Sequence, residues 1–270
     1  MTLSAFLDFA HELADAAATA TLPHFRTRIA IEDKTVGASP TDFDPVTKAD
    51  RNAEKAIRAL IEARHPTHAI LGEEFGEKEG KDLQWVLDPI DGTRSFISGM
   101  PLWGTLIALT DISGAGARKN AHVRLGLMDQ PFIGERYFAT RGDGAWIRHG
   151  GTRTQLHTRP CPTLENAAIA TTSPLLFDAK AAAKWQDIAA RAKLVRYGGD
   201  CYCYAQLAAG HIDAVIEPDL QPYDIQALIV LIEEAGGIIT NWDGSDAAEG
   251  GSVIACGDPQ LHTILRDLLS

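Results

Sequence analysis

The sequence predicts an α+β protein made of stacked helical and sheet layers in two lobes. Three observations carry that expectation. Six short strand-like runs, HAIL, WVLD, TLIALT, HVRLGLM, ERYFAT and GAWIR, follow one another between residues 68 and 148. Several are joined by brief glycine-containing turns, the pattern of a largely antiparallel sheet. Beyond residue 163 strands alternate with helices: AAIAT precedes a helix near 179–193, LVRY one near 201–209, and IDAVIE one near 224–235. Two amphipathic helices stand ahead of all this. In the first, Leu3, Phe6, Leu7, Ala10, Leu13, Ala14 and Ala17 fall at helical spacing; in the second, Ala53, Ile57, Leu60 and Ile61 share a side and Pro66 closes the segment. The chain ends with GGIIT, SVIAC and a helix whose Asp258-Pro259 start is a good cap signal. The stretch 149–163 is the best lobe boundary. It divides an N-terminal α+β lobe, 1–150, from a C-terminal α/β lobe, 151–270.

Composition narrows the partners. The 270-residue chain carries a formal net charge of −11, with 45% hydrophobic and 23% charged residues. That balance suits a globular protein and argues against nucleic acid or an anionic membrane as main partner. A small anionic substrate stays open, because a bound cation reverses the local field. No apolar run is long enough to span a bilayer. The N-terminus lacks a basic region and carries Asp8, Glu12 and Asp15, so a folded helix is expected rather than a signal peptide. Cys161, Cys201, Cys203 and Cys256 form no CxxC pair, and a reducing cytoplasm is the expected compartment.

Acidic residues gather where elements end. Gly72 is followed by Glu73 and Glu74, WVLDPIDGTRSF places Asp88 and Asp91 three residues apart, and Asp224 opens an apolar helix in QPYDIQALIVLIEEAGG. Each has a structural alternative: Asp91-Gly92 is a common turn dipeptide, and an aspartate at a helix start caps orphan N–H groups. As a set they would repel one another unless a cation lay between them, and all-oxygen ligation selects Mg²⁺ or Mn²⁺. Asp88 and Asp91 could bridge two ions with the Ile90 carbonyl added. Gly92 and Thr93 then begin a helix, TRSFI, whose free N–H groups favour a phosphate. Metal ions beside an anion site form a phosphoryl-transfer layout.

WVLDPIDGTRSFISGMP, the GEE turn, the aspartate before a helix ending in EAGG and the upstream KTVGASPTDFDPVTKAD resemble the inositol monophosphatase family. The resemblance covers nearly the whole chain. It implies an α-β-α-β-α sandwich, a homodimer, and a Mg²⁺-dependent, Li⁺-sensitive phosphatase of small phosphorylated substrates. By the same resemblance Glu73, Asp88, the Ile90 carbonyl, Asp91 and Asp224 ligate two or three Mg²⁺ ions, with Mn²⁺ able to substitute. Gly92 and Thr93 would hold the phosphate, Thr93 with Glu73 would orient the attacking water, and Asp50 would brace the Thr93 hydroxyl. Glu74 reads as a neighbour.

Within the family, DGTRSFISGMPLWGTLIAL, YGGDCYCY and QPYD look like the histidinol-phosphate phosphatase branch, and Tyr223 stands where inositol phosphatases more often carry Trp. By the family pattern Asp200 and Glu217 face the substrate, where a carboxylate would attract the amine and imidazole of histidinol. A helix cap at Asp200 and a surface strand end at Glu217 are the structural alternatives. An inositol-phosphate phosphatase is the rival substrate reading. A catalytically silent regulator on the same fold would have lost a ligand, and Glu73, Asp88, Asp91, Thr93 and Asp224 are all present. Lys34 reads as solvated loop, His65 and His68 as helix-end residues, and Tyr202, Tyr204, Trp85 and Trp185 as packing residues.

Overall fold

The computed structural model describes residues 2–33, 45–114 and 122–270. Lys34 and most of the loop expected at 31–50 lie outside them. On either side of that gap β1 (Ile31–Asp33) and β2 (Pro45–Thr47) pair antiparallel.

The helices α1 (Leu3–Thr21) and α2 (Lys48–Arg64) cover one face of an eight-stranded sheet. Its strands are β3 (Ala69–Gly72), β4 (Gly76–Lys78), β5 (Leu83–Asp91), β6 (Gly104–Asp111), β7 (Val123–Gln130), β8 (Glu135–Thr140), β9 (Gly144–His149) and β10 (Thr152–Leu156). From β5 to β10 every neighbouring pair is antiparallel, while β3 lies parallel to β5. Side chains alternate as the two-residue strand period requires. Trp85 and Leu87 of β5 join Phe9, Leu13, Ile57 and Ile61 under α1 and α2, whereas Val86 faces the opposite core.

That opposite core contains α5 (Asp200–Ala208) and α6 (Pro222–Glu234), sandwiched between the first sheet and a second. The second sheet runs β12 (Leu194–Tyr197), β11 (Ala168–Thr171), β13 (Ala214–Leu220), β15 (Gly251–Cys256), β14 (Ile238–Asn241). Helices α4 (Ala179–Arg191) and α7 (Pro259–Leu269) close its outer face around Trp185, Ile216, Ile254 and Leu265. The layers therefore read α-β-α-β-α, as the resemblance implies. The apolar run through α6 has a physical cause: Leu228, Ile229 and Ile232 are buried because sheets enclose the helix on both sides.

Two local differences from the sequence expectation are informative, and one expectation is met in detail. β10 occupies part of 149–163, so the first sheet continues through Leu156 and the β9–β10 hairpin straddles residue 150. Helix α6 begins at Pro222, where a missing N–H costs nothing, which moves Asp224 from the first helical position to the third. His65 ends α2, with its ring stacked on His68 at 4.7 Å, and Trp85 donates to His68 Nδ1 at 3.2 Å. Among the described residues no helix is long and apolar enough to cross a membrane.

Candidate active site

The centre of the site is the C-terminal end of β5. In a regular strand, residues three apart point to opposite faces. Here the pairing of β5 with β6 shifts register between Asp88 and Asp91: Asp88 lies opposite Leu106, and Asp91 opposite Gly104. Three steps on one strand thus match two on the other, a bulge that re-aims the second carboxylate. Pro89, which has no N–H to lose, sits inside the bulge, and the Thr105 hydroxyl donates to its carbonyl at 2.8 Å. The Ile90 N–H donates to Asp88 Oδ1 at 3.0 Å, tightening the turn.

The bulge brings Asp88 and Asp91 to Asp224, with one carboxylate oxygen from each lying within 4.8 Å of the others. Asp88 is 2% exposed. Burial holds its carboxyl well above the usual range, and the charges of Glu73, Asp91 and Asp224 add to the effect. Asp91 is pushed up to about 7, first by burial and then by Asp200, even though the Cys201 N–H donates to its Oδ2 at 2.6 Å. Glu73 is the fourth acid. Its N–H donates to the Leu87 carbonyl at 3.2 Å, and its side chain meets that of Asp88.

Such crowding is costly unless protons or a cation relieve it. The donor set is all oxygen and the carboxylates converge from β5, the β3–β4 turn and α6. These residues fit a hard divalent ion. Asp224 also has the structural role expected of a helix start. The Gln221 N–H donates to its Oδ2 at 2.7 Å in a capping box. Capping and clustering are therefore compatible in one side chain.

Gly92 follows at once, in the left-handed region at φ 83°, and leads into α3 (Thr93–Ile97). Two constraints select glycine there. The backbone conformation disfavours a side chain, and an added Cβ would come within 3.1 Å of Asp200 Oδ2. The Thr93 hydroxyl lies 3.1 Å from the Ile90 carbonyl and 3.5 Å from Asp50 Oδ1, so the nearer acceptor is the carbonyl. Asp50 is mainly engaged in the capping box of α2. Its Oδ2 accepts from the Thr47 N–H at 2.9 Å and from the Thr47 hydroxyl at 2.5 Å. Burial raises its carboxyl to about 6.

Asp200 and Glu217 come from the second sheet and its helix. Asp200 does not cap α5. It accepts from the Ser95 hydroxyl at 3.3 Å and also meets the Thr172 hydroxyl. Its φ of 42° is a conformation that costs a non-glycine residue roughly 1–2 kcal/mol. Glu217 is not an exposed strand end: it is 2% exposed. It accepts from the Thr172 N–H at 2.7 Å, the Thr172 hydroxyl at 2.9 Å and the Thr171 hydroxyl at 3.2 Å. Burial raises it to about 8. Ser95, Thr171 and Thr172, which no sequence pattern singled out as site residues, join Asp200 and Glu217 into one network. For Ser95 the nearest cue was its place two residues beyond Thr93; the threonine pair at the end of AAIAT had none.

The profile of the inositol monophosphatase family matches residues 2–269. The chain belongs to the inositol monophosphatase family. It is 42% identical over 277 aligned residues to the bifunctional phosphatase IMPL2, chloroplastic, of Arabidopsis thaliana, covering 96% of this chain and 73% of that protein. It is 38% identical to the histidinol-phosphatase of Chlorobaculum parvum, covering 88% and 86% of the two chains. The solved structure of an inositol monophosphatase from Zymomonas mobilis superposes with a TM-score of 0.83 at 37% identity, covering 100% and 99%. The family member described here is a phosphatase of small phosphorylated substrates.

Proposed function

We propose that this phosphatase hydrolyses L-histidinol phosphate to L-histidinol and phosphate, in histidine biosynthesis, with Mg²⁺ held by Glu73, Asp88, the Ile90 carbonyl, Asp91 and Asp224. The observation that carries the metal reading is the convergence of Asp88, Asp91 and Asp224 around the β5 bulge. Bound Mg²⁺ would supply charge neutralisation and Lewis acidity for attack of water on phosphorus. The chain's own residues do the rest. The N–H groups of Gly92 and Thr93 would hold phosphate oxygens at the start of α3, where Gly92 is left-handed at φ 83°. Glu73 and the Thr93 hydroxyl orient the attacking water, and Asp50 sits behind that hydroxyl at 3.5 Å. The water oxygen bonds to phosphorus, the ester P–O bond breaks, and of the water's two protons one ends on the leaving oxygen, giving histidinol, and one on the phosphate.

The substrate reading rests on Asp200, which stands against Gly92 and so borders the phosphate site. Its carboxylate offers a partner for a cationic amine or imidazole. Glu217 acts from behind, through Thr172. The similarity to the Chlorobaculum histidinol-phosphatase supports this choice. The similarity to the Zymomonas inositol monophosphatase favours the second reading, inositol 1-phosphate. In either reading the chain works as a cytoplasmic homodimer and is inhibited by Li⁺. The test is phosphate release from histidinol phosphate, inositol 1-phosphate, fructose 1,6-bisphosphate and adenosine 3′,5′-bisphosphate, each with Mg²⁺ and with chelator. Histidinol phosphate should be the best substrate. Equal or faster turnover of inositol 1-phosphate would sink the assignment.

A further inference from the structure

Helix α2 carries a second acid one turn beyond Asp50. Glu54 is 0% exposed, and a carboxylate that deep is costly unless every oxygen is satisfied. Its partners are specific. Oε1 accepts from Arg58 Nε at 2.6 Å and from the Phe75 N–H at 3.3 Å; Oε2 accepts from the Glu74 N–H at 2.7 Å. Arg58 reaches onward to donate to the Gly76 carbonyl. Two residues of one helix face thus hold three consecutive backbone positions, 74 to 76. The segment they hold begins at Glu73, whose N–H is tied from the other side to the Leu87 carbonyl of β5 at 3.2 Å.

Gly72 belongs to the same device. A Cβ there would lie 2.1 Å from Glu54 Oε1 and 2.9 Å from Arg58 Nη2, so only a hydrogen fits beneath the pair. Stability of α2 alone does not call for a buried ion pair. The helix already has a capping box and the apolar Ile57 and Ile61, and an apolar pair often packs at least as well as a buried ionic one. What an apolar pair cannot do is accept from the Glu74 and Phe75 amides.

We propose that Glu54 is a positioning residue which, together with Arg58, clamps the backbone of the turn carrying Glu73 and so fixes the Glu73 carboxylate against Asp88 for metal binding. This rests on the reading of Glu73 as a metal ligand. Helix α2 then serves as a common frame, with Asp50 set toward Thr93 and Glu54 toward the Glu73 turn.

Hydrogen exchange of the 72–78 segment in the chelated protein tests the clamp without metal. The Mg²⁺ concentration for half-maximal phosphate release tests its consequence. In Glu54→Gln an amide donor replaces an acceptor facing a backbone N–H. Exchange at Glu74 and Phe75 should quicken on the order of tenfold. The half-maximal Mg²⁺ concentration should rise by roughly 10–100-fold, the usual loss for a partner behind a metal ligand, with a smaller fall in kcat at saturating Mg²⁺. Gly72→Ala keeps every charge and should reproduce both changes by displacing Glu54. The double variant should be less impaired than the sum of the two, because both act on one contact. Glu73→Gln should raise the Mg²⁺ requirement and leave exchange of the turn unaltered. Unchanged exchange in both Glu54→Gln and Gly72→Ala would overturn the clamp. An unchanged Mg²⁺ requirement in those two, alongside a raised one in Glu73→Gln, would overturn its link to the metal. A wild-type Mg²⁺ requirement in Glu73→Gln would instead overturn the reading of Glu73 as a ligand.

Discussion

Two groups of buried acids meet at this site, and they are stabilised in opposite ways. Around the β5 bulge, Asp88, Asp91 and Asp224 converge with Glu73, and each raises the cost of charge on Asp88. Around Thr172, by contrast, Asp200 and Glu217 are separated by hydroxyl and N–H donors that the chain itself supplies. The first group calls for a metal ion among its own oxygens; the second has chain-supplied donors on both acids, with Asp200 left to meet the cation of the proposed substrate. Acid content alone therefore does not mark a metal site. What distinguishes one is convergence of oxygens without enough protein donors between them.

The variant that strains this comparison most is Asp91→Asn. It should leave the fold intact, because the Cys201 N–H still finds an oxygen acceptor. Turnover should fall by more than the roughly 10–100-fold typical of residues placed behind a metal ligand. Steady-state phosphate release beside a circular-dichroism melt checks both halves, and a near-normal rate would remove Asp91 from the site.

Asp200→Ala should act on selectivity. Losing a charged partner for the substrate cation should lower kcat/KM for histidinol phosphate about tenfold relative to inositol 1-phosphate, equivalent to about 1.4 kcal/mol. An unchanged ratio of the two specificity constants would refute the role given to Asp200.

The smallest effect concerns Glu217 and pH. Its folded-state carboxyl is raised to about 8, above the ordinary 4.5. Between those values the folded protein holds a proton that the unfolded chain releases, so this group's contribution to stability declines as pH rises through that window. Gln cannot ionise and keeps similar hydrogen bonds. Glu217→Gln should therefore melt a few degrees above wild type at pH 8, and the gap should close by pH 5. A constant difference across that range would show that Glu217 is not held protonated by its surroundings.

The two groups also differ in how much of them was legible from sequence. Asp88, Ile90, Asp91, Gly92 and Thr93 lie within six residues, so local chain geometry ties them together. Pro89 even marks the bulge that re-aims Asp91. The layered fold was equally readable, because short apolar runs set off by glycine-containing turns mark the first sheet and one long apolar run marks α6. Glu217 was another matter. Its surroundings are Thr171 and Thr172, 45 residues or more away, and no local pattern announces that pairing. Glu54 was hidden for the same reason: on the helix it reads as one more charged residue. Only the packing of α2 against the 73–76 turn shows that it is buried. Element ends were shifted by small local effects, such as Pro222 extending α6 backward.

The contrast between the two acid groups is tested most directly by titrating Mg²⁺ calorimetrically into protein first stripped with chelator. Wild type and Asp200→Asn should both show saturable binding, and Asp88→Asn should lose it. Binding that survives in Asp88→Asn, or disappears in Asp200→Asn with the fold retained, would contradict the assignment of the cation to the β5 bulge.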